Sequence, residues 1–101
     1  MSVLVKQVED KLCELVRDAA KKAMAAGELP EAELTDFKVE IPADRKNGDY
    51  STNAAMAWAR AFRRAPAMIA AAITKNIDLE GTAFSSCEAA GPGFINFRLA
   101  G

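Results

Sequence analysis

The chain has 101 residues, half of them hydrophobic, two cysteines, no histidine and a formal net charge of −1. That suits one domain with its own core and excludes a polycationic nucleic-acid wrapper, so any nucleic-acid contact has to come from a local patch. The missing histidine removes the commonest general base and metal ligand, no apolar run approaches the ~18 residues of a membrane span, and the opening MSVLVKQVEDK is amphipathic and carries acids early, unlike a signal peptide.

Residues 3–26 carry the clearest helical period. Leu4, Val8, Leu12, Leu15, Ala19 and Ala23 recur at steps of three and four, Val5 and Val16 widen the stripe, and Gly27 stands just past the end. ELPEAELTD follows and reads as a polar linker broken by Pro30. FKVEI (37–41) alternates, placing Phe37, Val39 and Ile41 on one face of a strand that Pro42 ends. ADRKNGDY (43–50) is a charged loop. Its Asn47-Gly48 pair fits a tight hairpin, but no alternating run follows, so a strand-to-helix loop is expected. Ser51 or Thr52 then caps an alanine-rich helix reaching Arg64. Pro66 opens a further helix, PAMIAAAITKN, anchored by Ile69 and Ile73. TAFSSCEA (82–89) is a strand with Cys87 and Ala89 facing in and Glu88 out. AGPG (90–93) is a turn, and FINFRL (94–99) a final strand.

The order helix, strand, helix, helix, strand, strand predicts an α+β fold. It is a two-layer arrangement in which a small, mainly antiparallel, three-stranded sheet is covered on one face by helices. Strand alternation puts Ile95, Phe97 and Leu99 on the core face, beside Phe37, Val39 and Ile41, and leaves Phe94, Asn96 and Arg98 facing out.

The sequence offers little to a catalyst. It holds no Cys–His pair, no metal-ligand cluster, and no GxSxG or P-loop. Cys13 and Cys87 read as buried thiols in a reducing compartment. The outward face of the last strand is the best binding signal. An aromatic with an amide two residues on can stack a base and read its edge, and Arg98 beside them can meet a phosphate. The same Phe94 also fits packing beneath a loop or against another domain. Arg45 and Lys46, before a helix start, form a second basic feature. Arg60, Arg63 and Arg64 add charge late in the second helix, where they also complement its dipole.

NGDYSTNAAM (47–56), APAMIAAAI (65–73) and AGPGFINFRL (90–99) together resemble the N-terminal additional domain of arginyl-tRNA synthetase, over essentially residues 1–100. That family shows GDY-x-TN-x-A, a helix opened by Asn-Pro, and a GPGFIN-F-x-L strand in this order. Ala65 here replaces the Asn, and Ala90-Gly91 stands where some relatives carry an Asn before the turn. The resemblance implies a cytoplasmic domain that precedes a Rossmann-type catalytic domain and contacts the D-loop at the outer corner of tRNA-Arg. It implies Phe94 as the stacking ring and Asn96 as the base-edge reader; from charge and position, Arg98, Arg45 and Lys46 are expected to supply most of the phosphate contacts. HIGH-like and KMSKS-like signatures are absent from the chain. The expectation is therefore an N-terminal domain without catalytic residues, cofactor, metal or membrane contact of its own. ATP and arginine would serve only the catalytic domain of the parent enzyme. A free-standing protein-interaction module using the Phe94 face, or a structural brace, are the other readings.

Overall fold

The computed structural model describes residues 3–42 and 48–99, with side chains from Lys6 onward. The elements run α1 (Val3–Ala25), β1 (Val39–Glu40), β2 (Tyr50–Thr52), α2 (Ala54–Ala57), α3 (Ala59–Phe62), α4 (Pro66–Asn76), β3 (Phe84–Ala90) and β4 (Phe94–Leu99). One antiparallel sheet takes the order β1-β2-β4-β3. The α+β architecture is as expected, but the sheet has four strands rather than three.

The added strand is β2. It begins at Tyr50, inside the segment expected to be loop and cap, and pairs with both β1 and β4. β1 and β2 are antiparallel neighbours, so a short strand does follow the Asn47-Gly48 pair where a loop leading straight into a helix was expected. Three residues are too few to show a hydrophobic period, and their partners lie in distant sequence. β1 is shorter than FKVEI suggested, and Ile41, placed on the core face by alternation, is 66% exposed beyond its end.

α1 buries the face carrying Leu12, Leu15, Val16, Ala19, Ala20 and Ala23, and packs on α4. α4 in turn lies on β3 and β4, and its alanines let the layers approach closely. The expected helix from 51 or 52 to Arg64 is two short turns interrupted at Trp58. Trp58 is fully buried, donates its indole N–H to the Thr35 carbonyl at 2.7 Å, and meets Phe37 and Phe62 edge-on. A buried indole needs that acceptor, and the acceptor lies in the 28–36 segment. That segment is accordingly more than a linker. Leu29 is buried, Ala32 and Leu34 pack on the core, and the Arg17 guanidinium donates to the Leu34 carbonyl at 3.1 Å.

The remaining corrections concern the sheet's margins. β3 is an edge strand with a register shift between Phe84 and Ser86. Cys87 and Ala89 pair with Phe97 and Ile95 on the inward row, as expected, but at this open edge Ala89 is exposed and Cys87 only half-buried. Cys13 is half-buried as well, and both thiols are free. Leu99, at the end of β4, is 37% exposed. Among the described residues no helix is long and apolar enough to cross a membrane.

Candidate nucleic-acid interface

β4 is held from both sides, and the GDYSTN stretch explains one of them. Gly48 has φ +98°, and a Cβ there would lie 2.7 Å from the Phe97 carbonyl oxygen, so only glycine fits. The Asp49 N–H donates to that same carbonyl at 2.8 Å, and the Asp49 carboxylate accepts the Leu99 N–H at 2.9 Å. Asp49 thereby continues the ladder past the end of β2. Tyr50 turns inward and meets Phe84 edge-on, and Phe84 meets Phe97 likewise.

Thr52 and Asn53 fix the other edge. The Thr52 hydroxyl donates to the Lys38 carbonyl at 2.8 Å and accepts the Ala54 N–H at 3.2 Å. The Asn53 side-chain oxygen accepts the Lys38 N–H at 2.8 Å. Thr52 thus satisfies the Ala54 N–H, but the N-cap position falls at Asn53 rather than at Ser51 or Thr52, and Asn53 spends its side chain on Lys38, just before β1. Both backbone groups of Lys38 are satisfied by this pair, which lengthens a two-residue strand pairing.

The register then defines the outer face. Glu40, Ser51, Asn96 and Glu88 are successive cross-strand partners in one row. Phe94 pairs with Ala90, and Arg98 with Ser86, on the same side. The inward row reads Tyr50, Phe97, Cys87, as the alternation required, and Phe97 is fully buried. Asn96, expected in the open, is only 6% exposed. It is on the predicted face, but β4 is a central strand, and Ser51 and Glu88 flank its side chain. Its amide takes no hydrogen bond from the described side chains. No fully sealed polar side-chain atom among the described residues lacks a partner, so the amide edge still reaches the surface. Phe94 is half-buried and Arg98 exposed. Arg45 and Lys46 lie outside the described residues.

The site begins at a tight corner. The 91–93 turn brings Gly93, φ +145°, so close to the helical layer that a Cβ would sit 2.5 Å from Pro66 Cβ and 2.8 Å from Met56 Cγ. Phe94 follows directly, so the first residue of β4 adjoins the start of α4. The open groove between α1 and residues 78–82, about 470 Å³, is lined by Lys11, Asp18, Lys22, Asp78 and Glu80 among others, and by none of the strand residues.

Burial pushes the Cys13 and Cys87 thiols up from their ordinary value, away from nucleophilic thiolate. Burial, aided by the charges of Glu9 and Asp49, does the same to the Tyr50 phenol. No group of three or more potential metal ligands occurs among the described residues.

The chain thus sets a helical layer against one side of an open antiparallel sheet whose central strand carries Phe94 and Asn96 on its other face. The same fold occurs in arginyl-tRNA synthetase from Plasmodium falciparum, with a TM-score of 0.67 and 20% identity over 92% of this chain and 16% of that one. It occurs also in the Thermus thermophilus enzyme, with a TM-score of 0.57 and 25% identity over 82% of this chain and 13% of that one. Among curated proteins, arginine–tRNA ligase of Acetivibrio thermocellus is 42% identical over 99 residues, which is 98% of this chain and 18% of the relative. The Staphylococcus aureus JH9 enzyme is 43% identical over 96 residues, 95% of this chain and 16% of the relative. The chain belongs to the family described as the arginyl tRNA synthetase N terminal domain, which matches residues 10–99. It spans under a fifth of the length of these relatives.

Proposed function

We propose that this domain serves an arginine–tRNA ligase by gripping the outer corner of tRNA-Arg, with β4 reading an exposed D-loop base. The catalytic domain that uses ATP to join arginine to the tRNA would be its covalent neighbour, in the cytoplasm. Phe94 supplies the stacking ring and Asn96 the base-edge hydrogen bonds, while Arg98, Arg45 and Lys46 meet phosphates. The observation that carries this reading is the Asn96 amide. It is nearly enclosed yet engaged by no described side chain, on the same face as a half-exposed ring two residues away. An amide held rigidly at a surface is suited to hydrogen-bond a base edge placed over it.

The test is a chimera in which this chain replaces the corresponding segment of the Staphylococcus aureus ligase. Base stacking is worth about 1–3 kcal/mol, so Phe94→Ala should reduce kcat/KM for tRNA by about 5- to 150-fold. Asn96→Ala should lose a comparable amount, and the two losses should be less than additive because the ring positions the base that the amide reads. Arginine-dependent ATP–pyrophosphate exchange should be unchanged in any preparation where that exchange is measurable with tRNA present. Unchanged tRNA kinetics in both variants, with a lowered melting temperature of the domain, would make the two residues structural. The protein-interaction reading has one observation in its favour, the exposed Met56 beside the turn leading into Phe94. It predicts loss of a partner protein and no change toward tRNA.

A further inference from the structure

The charges of this chain are unevenly distributed. From Tyr50 to Ile77 there are four cationic side chains and no acid. The acids lie in the segments before and after, although the whole molecule is at −1. Of the four cations, Lys75 is committed to Glu28 at 2.8 Å. The other three are Arg60, Arg63 and Arg64, all exposed. Among the described residues none of them has an acidic partner. Arg64 donates only to the Arg63 carbonyl, at 3.2 Å. Complementing a helix dipole is a weak reason for three arginines, since α3 has just four residues and the dipole effect is confined to a helix's last turn.

Their position in the fold is more informative. The arginines close α3 and lead within two residues to Pro66, the first residue of α4. Pro66 is the residue that Gly93 abuts, and Gly93 precedes Phe94. The arginine corner and the start of the outer strand face are therefore joined through one contact. α4 also begins there with no side-chain cap, its dipole positive at that end.

We infer that Arg60, Arg63 and Arg64 form a second anchoring site, which takes the phosphate backbone of the same RNA whose base lies over Phe94 and Asn96. Guanidinium forks suit phosphate oxygens, and three close together in an acid-free segment hold a backbone run rather than a single ion. This inference rests on the RNA-binding reading above, and extends the contact from the sheet face around the turn to the helical layer. The strand residues would choose the base, and the arginine corner would supply affinity and orientation without sequence preference.

The experiment measures binding of this chain to tRNA-Arg transcript as salt rises from about 50 to 200 mM. Each lost phosphate contact should lower the log–log slope by about 0.7–0.9. The triple variant Arg60→Gln, Arg63→Gln, Arg64→Gln should therefore lose about two units of slope and bind more weakly at low salt. The corresponding triple Lys variant should retain the slope. A control with Lys11→Gln, Lys21→Gln and Lys22→Gln removes the same charge from exposed positions on α1 and should change the slope far less. An equal effect from the control, an unchanged slope in the arginine variant, or no measurable binding by the unaltered chain would each overturn the inference. Phe94→Ala separates the two levels. It should weaken binding with the slope intact, and if it does nothing while the arginine variant behaves as expected, the base-reading proposal fails and RNA anchoring at the corner stands. If the arginine variant binds normally but a chimeric ligase carrying it loses stability, the corner meets a protein surface instead, and the inference is wrong.

Discussion

Gly93 shows how far a single position can constrain this domain. Its backbone sits at φ +145° with Pro66 Cβ and Met56 Cγ inside 3 Å of where a methyl would be. Met56 is half-exposed and can swing aside, but the proline ring cannot. Overpacking and an unfavourable backbone conformation add, so Gly93→Ala should cost about 2–4 kcal/mol. Urea unfolding of the purified chain checks this, and a loss under about 0.5 kcal/mol would mean that the turn and α4 are not in contact. Asn96 makes the complementary point. The alternation of FINFRL correctly gives the face on which it lies, because that depends only on the pleat. Its burial depends on having a strand on each side, and one of those strands is β2. The short Tyr50–Thr52 pairing leaves no periodic trace in the sequence, so neither β2 nor the enclosure of Asn96 can be read from it. The one local signal was GDY itself, a glycine-acid-aromatic run whose Asp49 completes the ladder to Leu99.

At the scale of elements, the domain is tied by contacts at the ends of its helices. Glu28, just after α1, accepts from Asn76 at 2.7 Å and pairs with Lys75 at 2.8 Å, which fastens α1 to the last turn of α4. The hydrogen bond from Lys75, followed by that from Asn76, holds the Glu28 carboxyl below its ordinary 4.5. The hydrogen bond to Glu28, with its charge, holds Lys75 above its ordinary 10.5. The signs give two pH edges. The carboxyl is lowered in the folded state, so its contribution is present above pH 4.5 and is lost as pH falls through the lower folded value. The ammonium is raised, so its contribution is complete below pH 10.5 and is lost as pH rises through the higher folded value. Glu28→Gln should therefore lower the melting temperature at neutral pH and shrink the difference from the parent chain toward both extremes. Lys75 is mostly solvent-exposed, so the effect should be small and should diminish with salt. A difference independent of pH between these edges and beyond them would assign the loss to packing. The helices α1 and α4 that this clamp joins were readable from apolar spacing and from Pro66. The break at Trp58 was not, because an alanine-rich run gives no local reason to stop, and the reason is the indole's bond to Thr35, twenty-three residues upstream.

For the whole molecule, the arrangement of charge matters more than its sum. A net charge of −1 gives no general attraction to RNA. The acid-free stretch from Tyr50 to Ile77 lies between two acid-bearing segments, so the proposed RNA path has few acids close to it in sequence. The exposed acids Glu31, Glu33, Asp36 and Glu40, against Lys38 alone, make the 31–40 segment the least favourable approach. If the path runs from Arg98 and the 45–46 cations across Phe94 to the arginine corner, it holds about six cations, and each phosphate met contributes about 0.7–0.9 to the slope of log affinity against log salt. The unaltered chain should therefore bind tRNA-Arg with a slope no steeper than about −5, and weakly at physiological salt. It should also prefer an RNA with an intact D-loop over the same sequence forced into duplex, because a duplex keeps its bases stacked and unavailable to Phe94. Filter binding over a potassium chloride series, with both RNAs, reads slope and preference together. A slope equivalent to about eight or more phosphate contacts would require cations outside this path, such as the exposed lysines of α1, and would contradict the single path. Equal affinity for the duplex at every salt would remove Phe94 and Asn96 from the contact and leave only charge.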